Sequence, residues 1–116
     1  MLDDTCIFCK IIKGAIPSAK VYEDDSVLIF KDISPKAPVH LLAVPKDHCP
    51  TPQDITPERT GTMGKVLAAI GKAAVKEGFA SQGYRMVINS GKQAGQEVPH
   101  LHVHVLSGRP LGWPPG

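Results

Sequence analysis

Three histidines alternate with apolar residues near the end of the chain, in the run His100-Leu101-His102-Val103-His104-Val105-Leu106. Alternation with a period of two residues in a leucine- and valine-rich segment predicts a β-strand over residues 100–106. All three imidazoles would then lie on one face of the strand, with the apolar side chains on the other. The outer two rings would be about 13 Å apart at the backbone, so one metal ion with bonds of about 2.1 Å cannot bind all three. A row of imidazoles instead favours a nucleophile with helpers.

The length of 116 residues predicts one domain with its own core and a single active site. A formal net charge of +2, spread along the chain with only 5% aromatic residues, argues against binding to a nucleic-acid polymer. No apolar stretch approaches the roughly 20 residues of a membrane span, and no signal-peptide pattern is found. The three cysteines fit a reducing compartment better than a disulfide framework. We therefore expect a cytoplasmic protein, or also a nuclear one in a eukaryote, with no membrane partner.

Periodicity and breaker residues predict two helices and five strands. The first helix would run over residues 5–13 with Thr5 as its cap, and the second would begin at Thr56 and end at Gly78. The strands would cover residues 21–23, 26–31, 39–44, 84–89 and 100–106. The pattern indicates an α+β domain over residues 1–116, with a mostly antiparallel sheet and an extended tail over residues 107–116.

A glycine-rich loop over residues 89–98 precedes the histidine run. Backbone amides in such a loop can bind an anionic phosphate, and glycine tolerates the backbone angles that this requires. Most glycine-rich loops between strands are simple turns, so the loop alone is a weak signal. Its position directly before the histidines strengthens the prediction of a phosphate site.

The histidine run resembles the His-φ-His-φ-His-φ-φ signature of the histidine triad (HIT) superfamily, in which φ is apolar. The chain is most similar to the Hint branch, the purine nucleoside phosphoramidases. The resemblance covers nearly the whole chain and extends to Ile7-Phe8, Lys10 to Ile12, Ile16-Pro17, Asp32 to His40, Val44 to Lys46, Gly83 to Val87, Gly95-Gln96 and Trp113 to Gly116.

The resemblance implies hydrolysis of the P–N bond of adenosine or guanosine 5′-phosphoramidates, aminoacyl- and lysyl-adenylate types included. The products would be the nucleoside monophosphate and an amine, formed through a nucleotidyl-histidine. His102 would be the nucleophile, and His104 and His40 would bind the phosphate, with His100 completing the catalytic row. No cofactor would be required for catalysis.

The same resemblance implies a nucleotide site and a homodimer. Asp32 would hold the ribose, and four apolar residues would form the purine slot, although ordinary core is their alternative explanation. Two five-stranded sheets would join into one of ten strands, and the tail with Trp113 would reach the partner's active site. The implied nucleotide-binding residues are Phe8, Ile11, Asp32, Ile33, Leu42, Asn89, Gly95, Gln96, Glu97, Val98, His102, His104 and Trp113.

Glu97 departs from the Hint pattern, because many Hint proteins have a serine there that contacts the phosphate or the leaving nitrogen. A carboxylate on an anionic phosphate would be repulsive. One hypothesis is that Glu97 faces the departing amine and favours cationic amines. Outward solvation of the carboxylate is the alternative.

Cys6-x-x-Cys9 is a second departure. Two cysteines at this spacing make half of a tetrahedral zinc site. Some family members with such a pair bind zinc through it, together with histidines whose positions here are His48 and His100. The alternatives are two buried thiols or a redox pair. We expect structural zinc, with Cys49 as a spectator.

Two other functions remain open at this point. A non-catalytic nucleotide-binding or scaffold protein would not need a nucleophile at position 102, so the intact His102 favours an enzyme. A dinucleoside polyphosphate hydrolase of the same superfamily is the second alternative. The short length and the Hint-like tail speak against it.

Overall fold

The alternating segments form one five-stranded sheet in the computed structural model, which describes residues 2–116. The strands are β1 (Lys20–Glu23), β2 (Val27–Lys31), β3 (Val39–Pro45), β4 (Tyr84–Val87) and β5 (Val103–Ser107). Their order is β1-β2-β3-β5-β4, and each neighbouring pair is antiparallel. The predicted α+β class and antiparallel sheet are confirmed.

Two α-helices cover the two faces of this sheet. The short helix α1 (Ile7–Ile12) packs on the face that carries Leu28, Phe30, Leu42 and Val44. The long helix α2 (Gly61–Lys76) packs on the face that carries Val27, Ile29, Leu41 and Ala43. Neighbouring strand residues alternate between the two cores, as the pleat requires. Three 3₁₀ turns complete the fold, at Pro52–Asp54, Pro57–Arg59 and Ala80–Gln82.

The helix starts differ from the prediction at both helices. Cys6, and not Thr5, caps α1, because its Sγ accepts a hydrogen bond from the Cys9 amide at 3.4 Å. Thr5 instead donates its amide and its hydroxyl to Asp3. The second helix begins at Gly61, because the segment after Thr56 forms a separate 3₁₀ turn.

The fifth strand is shorter than predicted, since it includes His104 but neither His100 nor His102. The backbone before Val103 makes hydrogen bonds outside the sheet: the His100 amide donates to the Val98 carbonyl at 2.8 Å, and the Leu101 amide to the Cys49 carbonyl at 2.6 Å. The predicted alternation of side chains nevertheless continues through this segment. His100 and His102 pack against Phe8 of α1, whereas Val103 and Val105 lie in the core under α2.

The C-terminal tail is bonded to the sheet. Ser107, predicted to open the tail, is the last residue of β5. Arg85 of β4 donates to the carbonyls of Leu111 and Gly112, the latter at 2.8 Å. Arg109 donates to the Lys36 carbonyl. Among residues 2–116, no helix has the length and apolar character that a membrane crossing needs.

Candidate active site

A cleft of about 580 Å³ opens on the α1 side of the sheet, between α1, the ends of β2 and β3, β5 and the glycine-rich loop. It brings together most of the residues that the sequence singled out. Twelve of the predicted residues line it: Phe8, Ile11, Asp32, Ile33, His40, Leu42, Asn89, Gly95, Glu97, Val98, His102 and His104.

Three of the predicted catalytic and nucleotide-binding residues lie outside the cleft. His100 is fully buried beneath it. Gln96 points into the protein, where its Nε2 donates to the carbonyls of Pro50 and Val98 and its Oε1 accepts from the Gly91 amide. Trp113 is 83% exposed on the tail, away from this cleft.

The cleft also contains residues that sequence reasoning missed. Phe30 could have been found, because it alternates with Leu28 and Leu42 pairs with it across the strands. Ser18 carried no sequence signal, yet its Oγ is buried and has no hydrogen-bond partner among residues 2–116. The full set of missed residues is Ile7, Pro17, Ser18, Phe30, Lys31, Ser34, Lys36, Val87 and Leu106.

His102 is oriented so that one ring nitrogen is left free. Its Nδ1 lies 2.6 Å from the His100 carbonyl oxygen, which can only accept a hydrogen bond, so Nδ1 carries the proton. The lone pair of the neutral ring is therefore on Nε2. The ring packs edge-on against Phe8, with centroids 5.1 Å apart. This tautomer and fixed orientation suit a nucleophile.

His40 and His104 form a directed hydrogen-bond chain beside it. The Lys36 amide donates to His40 Nδ1 at 3.0 Å, so the proton of the neutral His40 ring is on Nε2. His40 Nε2 lies 2.9 Å from His104 Nδ1, and it donates to it. The proton of His104 is then on its own Nε2. His104 consequently offers a donor, and His102 offers a lone pair.

Burial keeps the two histidines of this hydrogen-bond chain neutral. It lowers the pKa of both His40 and His104 from their ordinary values. For His40 this effect outweighs the charge of Asp32, which raises the pKa and whose Oδ2 lies 3.4 Å from His40 Nε2. Neighbouring imidazoles lower the pKa of His104 further. The neutral His104 ring can bind a phosphate through its free N–H donor without bringing a charged group into the core.

The glycine-rich loop is closed by its own hydrogen bonds. Gly95, with φ of +90°, donates its amide to the Lys92 carbonyl, and Gln96 donates its amide to the Gly91 carbonyl. These two amides are therefore bonded within the loop. Within residues 2–116 the amides of Glu97 and Val98 have no protein acceptor, and both residues line the cleft.

A second cluster lies beneath the cleft, formed by the side chains of Cys6, Cys9, His48 and His100. Sγ of Cys6 is 3.3 Å from Nδ1 of His100, and Sγ of Cys9 is 3.3 Å from Nδ1 of His48. The two Nδ1 atoms are 3.2 Å apart. A tetrahedral zinc ion with bonds of about 2.3 Å to sulfur and about 2.1 Å to nitrogen separates its ligand atoms by roughly 3.4 to 3.8 Å. The observed distances are close to that geometry.

The protonation of this cluster also fits a metal ion. His100 Nε2 lies 2.8 Å from the Pro45 carbonyl oxygen and must donate to it, which leaves the Nδ1 lone pair facing the thiols. Burial lowers the pKa of His100 to about 4, so the ring is neutral. Burial raises the pKa of the Cys9 thiol, which argues against a reactive redox pair. His104 belongs to a different group, with Asp32 and His40.

Comparison with known proteins identifies the family. The HIT-domain family model matches residues 13–111. The chain belongs to the HIT family. It is 49% identical to an uncharacterised HIT-like protein of Synechocystis over the whole of both chains. It is 46% identical to the purine nucleoside phosphoramidase of Escherichia coli K12, over 97% of this chain and 93% of that one.

Solved structures of HIT proteins support the same family assignment. A histidine triad protein from Clostridium difficile superposes with a TM-score of 0.94 at 46% identity, covering 97% of each chain. A HIT family hydrolase from Legionella pneumophila superposes with a TM-score of 0.92 at 45% identity, covering 96% of this chain and 99% of that one. This HIT protein is an enzyme of the hydrolase class, as predicted.

Proposed function

We propose that this HIT protein hydrolyses the P–N bond of purine nucleoside 5′-phosphoramidates. The observation that carries the proposal is the opposite polarity of two adjacent imidazoles: His102 offers a lone pair on Nε2 and His104 offers an N–H, with ring centroids 5.0 Å apart. A phosphoryl group placed between them would meet a nucleophile and a donor at once. The name of the Escherichia coli relative points to the same reaction.

The first step forms a nucleotidyl-histidine. His102 Nε2 attacks phosphorus, the P–Nε2 bond forms, and the P–N bond of the substrate breaks with its electron pair leaving on the amine, which takes up a proton from solvent. The Nδ1–H bond to the His100 carbonyl stabilises the imidazolium that results. His104 donates to a phosphoryl oxygen, and the free amides of Glu97 and Val98 are placed to do the same.

The second step is hydrolysis of that intermediate. Water attacks phosphorus, the P–Nε2 bond breaks, and its electron pair returns to His102. The proton of the attacking water passes to solvent. The products are a nucleoside monophosphate and the neutral resting ring.

The nucleoside would occupy the other part of the cleft. Asp32 is placed for the ribose, since its Oδ1 is held by the Ser34 amide at 2.7 Å and its Oδ2 lies beside His40. Phe8, Ile11, Leu42 and the missed Phe30 supply an apolar surface for a purine. Ile33 is 98% exposed, so a bound base would cover an otherwise solvated side chain.

We also propose that Cys6, Cys9, His48 and His100 hold a structural zinc ion. Such an ion would tie α1 to the segment that precedes β5. The packing of Phe8 against both His100 and His102 couples that connection to the orientation of the nucleophile. None of the four residues lines the catalytic cleft, which is consistent with a structural role.

The proposal includes a homodimer in a reducing, cytoplasmic compartment. β4 is an edge strand whose outer side is free to extend the sheet into ten strands, and Arg85 of β4 holds the tail that exposes Trp113. The tail would then meet the partner's cleft. The three cysteines are all free thiols.

The test is turnover of adenosine 5′-phosphoramidate, with a dinucleoside polyphosphate as the competing substrate. We expect release of AMP and ammonia, and a protein species heavier by one AMP in rapidly quenched samples. His102→Ala should abolish both, while circular dichroism shows an intact fold. Full activity in that variant, or faster turnover of the dinucleoside polyphosphate, would contradict the proposal.

A further inference from the structure

A second cavity of about 380 Å³ adjoins the catalytic cleft. The two share Ile7, Glu97 and Val98, so these residues form the rim between them. The rest of the second cavity is lined by Asp3, Thr5, Cys6, His48, Pro50 and Pro99. The second cavity is therefore the space next to the cleft on its Glu97 side.

The position of Glu97 on the rim is fixed by its neighbours. Gln96 is bound on one side through the carbonyls of Pro50 and Val98, and the Val98 carbonyl also accepts from the His100 amide. The Glu97 side chain is exposed, and its carboxylate makes no hydrogen bond or ion pair within residues 2–116. The backbone is therefore held while the carboxylate is available to a ligand.

The charge around this rim is negative. Asp3 lines the second cavity, and its Oδ1 is satisfied by Thr5 while its Oδ2 faces His48 at 4.0 Å. Lys31 and Lys36 line the catalytic cleft only, and no lysine or arginine of the described chain lines the second cavity.

We propose that the second cavity is the leaving-group subsite and that Glu97 selects substrates whose leaving amine carries a further positive charge. This inference rests on the proposed function, and it names the substrate class. An anionic phosphate next to the Glu97 carboxylate is disfavoured when the leaving group is neutral. A leaving group with a terminal ammonium offsets that repulsion and forms an ion pair on the rim.

The test compares two adenosine phosphoramidates of equal size. In one the leaving amine is 1,4-diaminobutane, with a terminal ammonium; in the other it is pentylamine, with a methyl in that place. The parent should have the higher kcat/KM for the diamine substrate. In Glu97→Gln the preference should fall by roughly fivefold, the size of one solvent-exposed ion pair, and in Glu97→Lys it should reverse.

A matched control is Glu58→Gln, because Glu58 lies on a 3₁₀ turn outside both cavities. It should leave the preference unchanged. Raising the salt concentration should reduce the preference of the parent more than that of Glu97→Gln, since the variant lacks the ion pair on the rim that salt screens.

The outcomes separate this inference from the proposed function. Efficient turnover of both substrates with equal kcat/KM, or a preference that survives in Glu97→Gln, overturns the leaving-group assignment and leaves the phosphoramidase activity standing. Failure of the parent to hydrolyse either substrate overturns both.

Discussion

His40 Nε2 donates to His104 Nδ1 across 2.9 Å, and this bond joins β3 to β5 inside the cleft. Because the Lys36 amide already occupies His40 Nδ1, the direction of the bond is fixed by the backbone. The Asp32, His40 and His104 group could formally hold a metal ion. His40 could join it only by giving up either its ring proton or the Lys36 bond. We therefore interpret the group as a positioning device for His104.

Removing that device should slow catalysis. In His40→Ala, His104 Nδ1 loses its donor and the ring is free to change tautomer. We expect kcat to fall by about tenfold, corresponding to one hydrogen bond of about 1.4 kcal/mol. His40→Gln should retain more activity than His40→Ala, because the glutamine amide has an oxygen that can accept from Lys36 and an NH₂ group that can donate to His104. Steady-state kinetics on adenosine 5′-phosphoramidate measures both, and equal losses in the two variants would contradict the positioning role.

The stability of the protein should fall on acidification through these same rings. His40 and His104 have folded-state pKa values below the ordinary 6.5. Well above pH 6.5 both rings are therefore neutral in the folded and in the unfolded protein. As the pH falls below about 6.5, the unfolded rings take up protons before the folded ones do. The free energy of unfolding therefore decreases toward acid.

The contribution of His40 can be isolated in His40→Gln. This variant should start from a lower stability at pH 7.5 and lose less of it between pH 6.5 and 5. Urea denaturation of parent and variant across that range measures the two slopes. A steeper slope in the variant would show that His40 is charged in the folded protein.

Zinc should be present at about one ion per chain in protein purified without chelator. Cys9→Ser should lose it, because Cys9 Sγ lies within 3.3 to 3.6 Å of both histidine Nδ1 atoms. Binding to the folded state alone stabilises it, so removal of the ion lowers the melting temperature. Elemental analysis gives the stoichiometry, and thermal melting with and without a chelator gives the stability.

Cys49→Ser is the matched control for the zinc prediction. Cys49 is also buried, but its Sγ donates to the Thr51 carbonyl and it lies outside the cluster. This variant should keep its zinc and its response to chelator. Metal-free parent protein that melts at the same temperature with and without chelator would contradict the zinc site.

The sequence predicted which segments form helices and strands better than it predicted where these begin and end. Period-two alternation identified β2, β3 and the region of β5 because it reflects the pleat, which the local sequence determines. The same alternation placed His100 and His102 in the strand, although the amide of His100 bonds to Val98 and that of Leu101 to Cys49. The bond to Cys49 depends on a chain segment that is distant in sequence, and no local pattern encodes it.

In the candidate site, too, the sequence predicted some residues and missed others. The histidines, Asp32 and the cysteine pair could be found because each belongs to a motif. Ser18 and Lys36 could not. Lys36 acts through its backbone amide, which donates to His40 and which the residue type does not reveal, and Ser18 lines the cleft because the segment before β1 lies beside the end of β2. The family resemblance supplied the residue roles, whereas the hydrogen-bond directions came only from the structure.

Gly108 should tolerate no side chain. Its φ is +95°, and a Cβ there would lie 2.7 Å from Cβ of Pro38, an atom of a rigid ring. Gly108→Ala should therefore destabilise the protein by about 2 kcal/mol or more, from backbone strain and from the clash. Gly112→Ala is the control, because its added Cβ meets nothing within 4 Å. Urea denaturation should separate the two variants, and equal midpoints would be inconsistent with the strain.

Ser18→Ala should have opposite effects on the free and the nucleotide-bound protein. The Ala19 carbonyl accepts from the Lys31 amide, so the segment before β1 lies beside the end of β2, and Ser18 lines the cleft together with Asp32, the residue proposed to hold the ribose. Its buried Oγ has no hydrogen-bond partner in the described part of the chain, and removing it should stabilise the free protein by about 1 kcal/mol. When AMP is bound, rotation about χ1 gives the hydroxyl a partner on the nucleoside, so the variant should bind AMP about fivefold more weakly.

Urea denaturation with and without AMP, together with calorimetric titration of AMP, measures both effects of this substitution. Ser107→Ala is the control, since Ser107 is also buried but donates to the Gly83 carbonyl at 2.7 Å. Losing that bond should destabilise the protein by about 1 kcal/mol without changing AMP affinity. A Ser18→Ala variant that gains stability but binds AMP as tightly as the parent would show that the hydroxyl never meets the nucleoside.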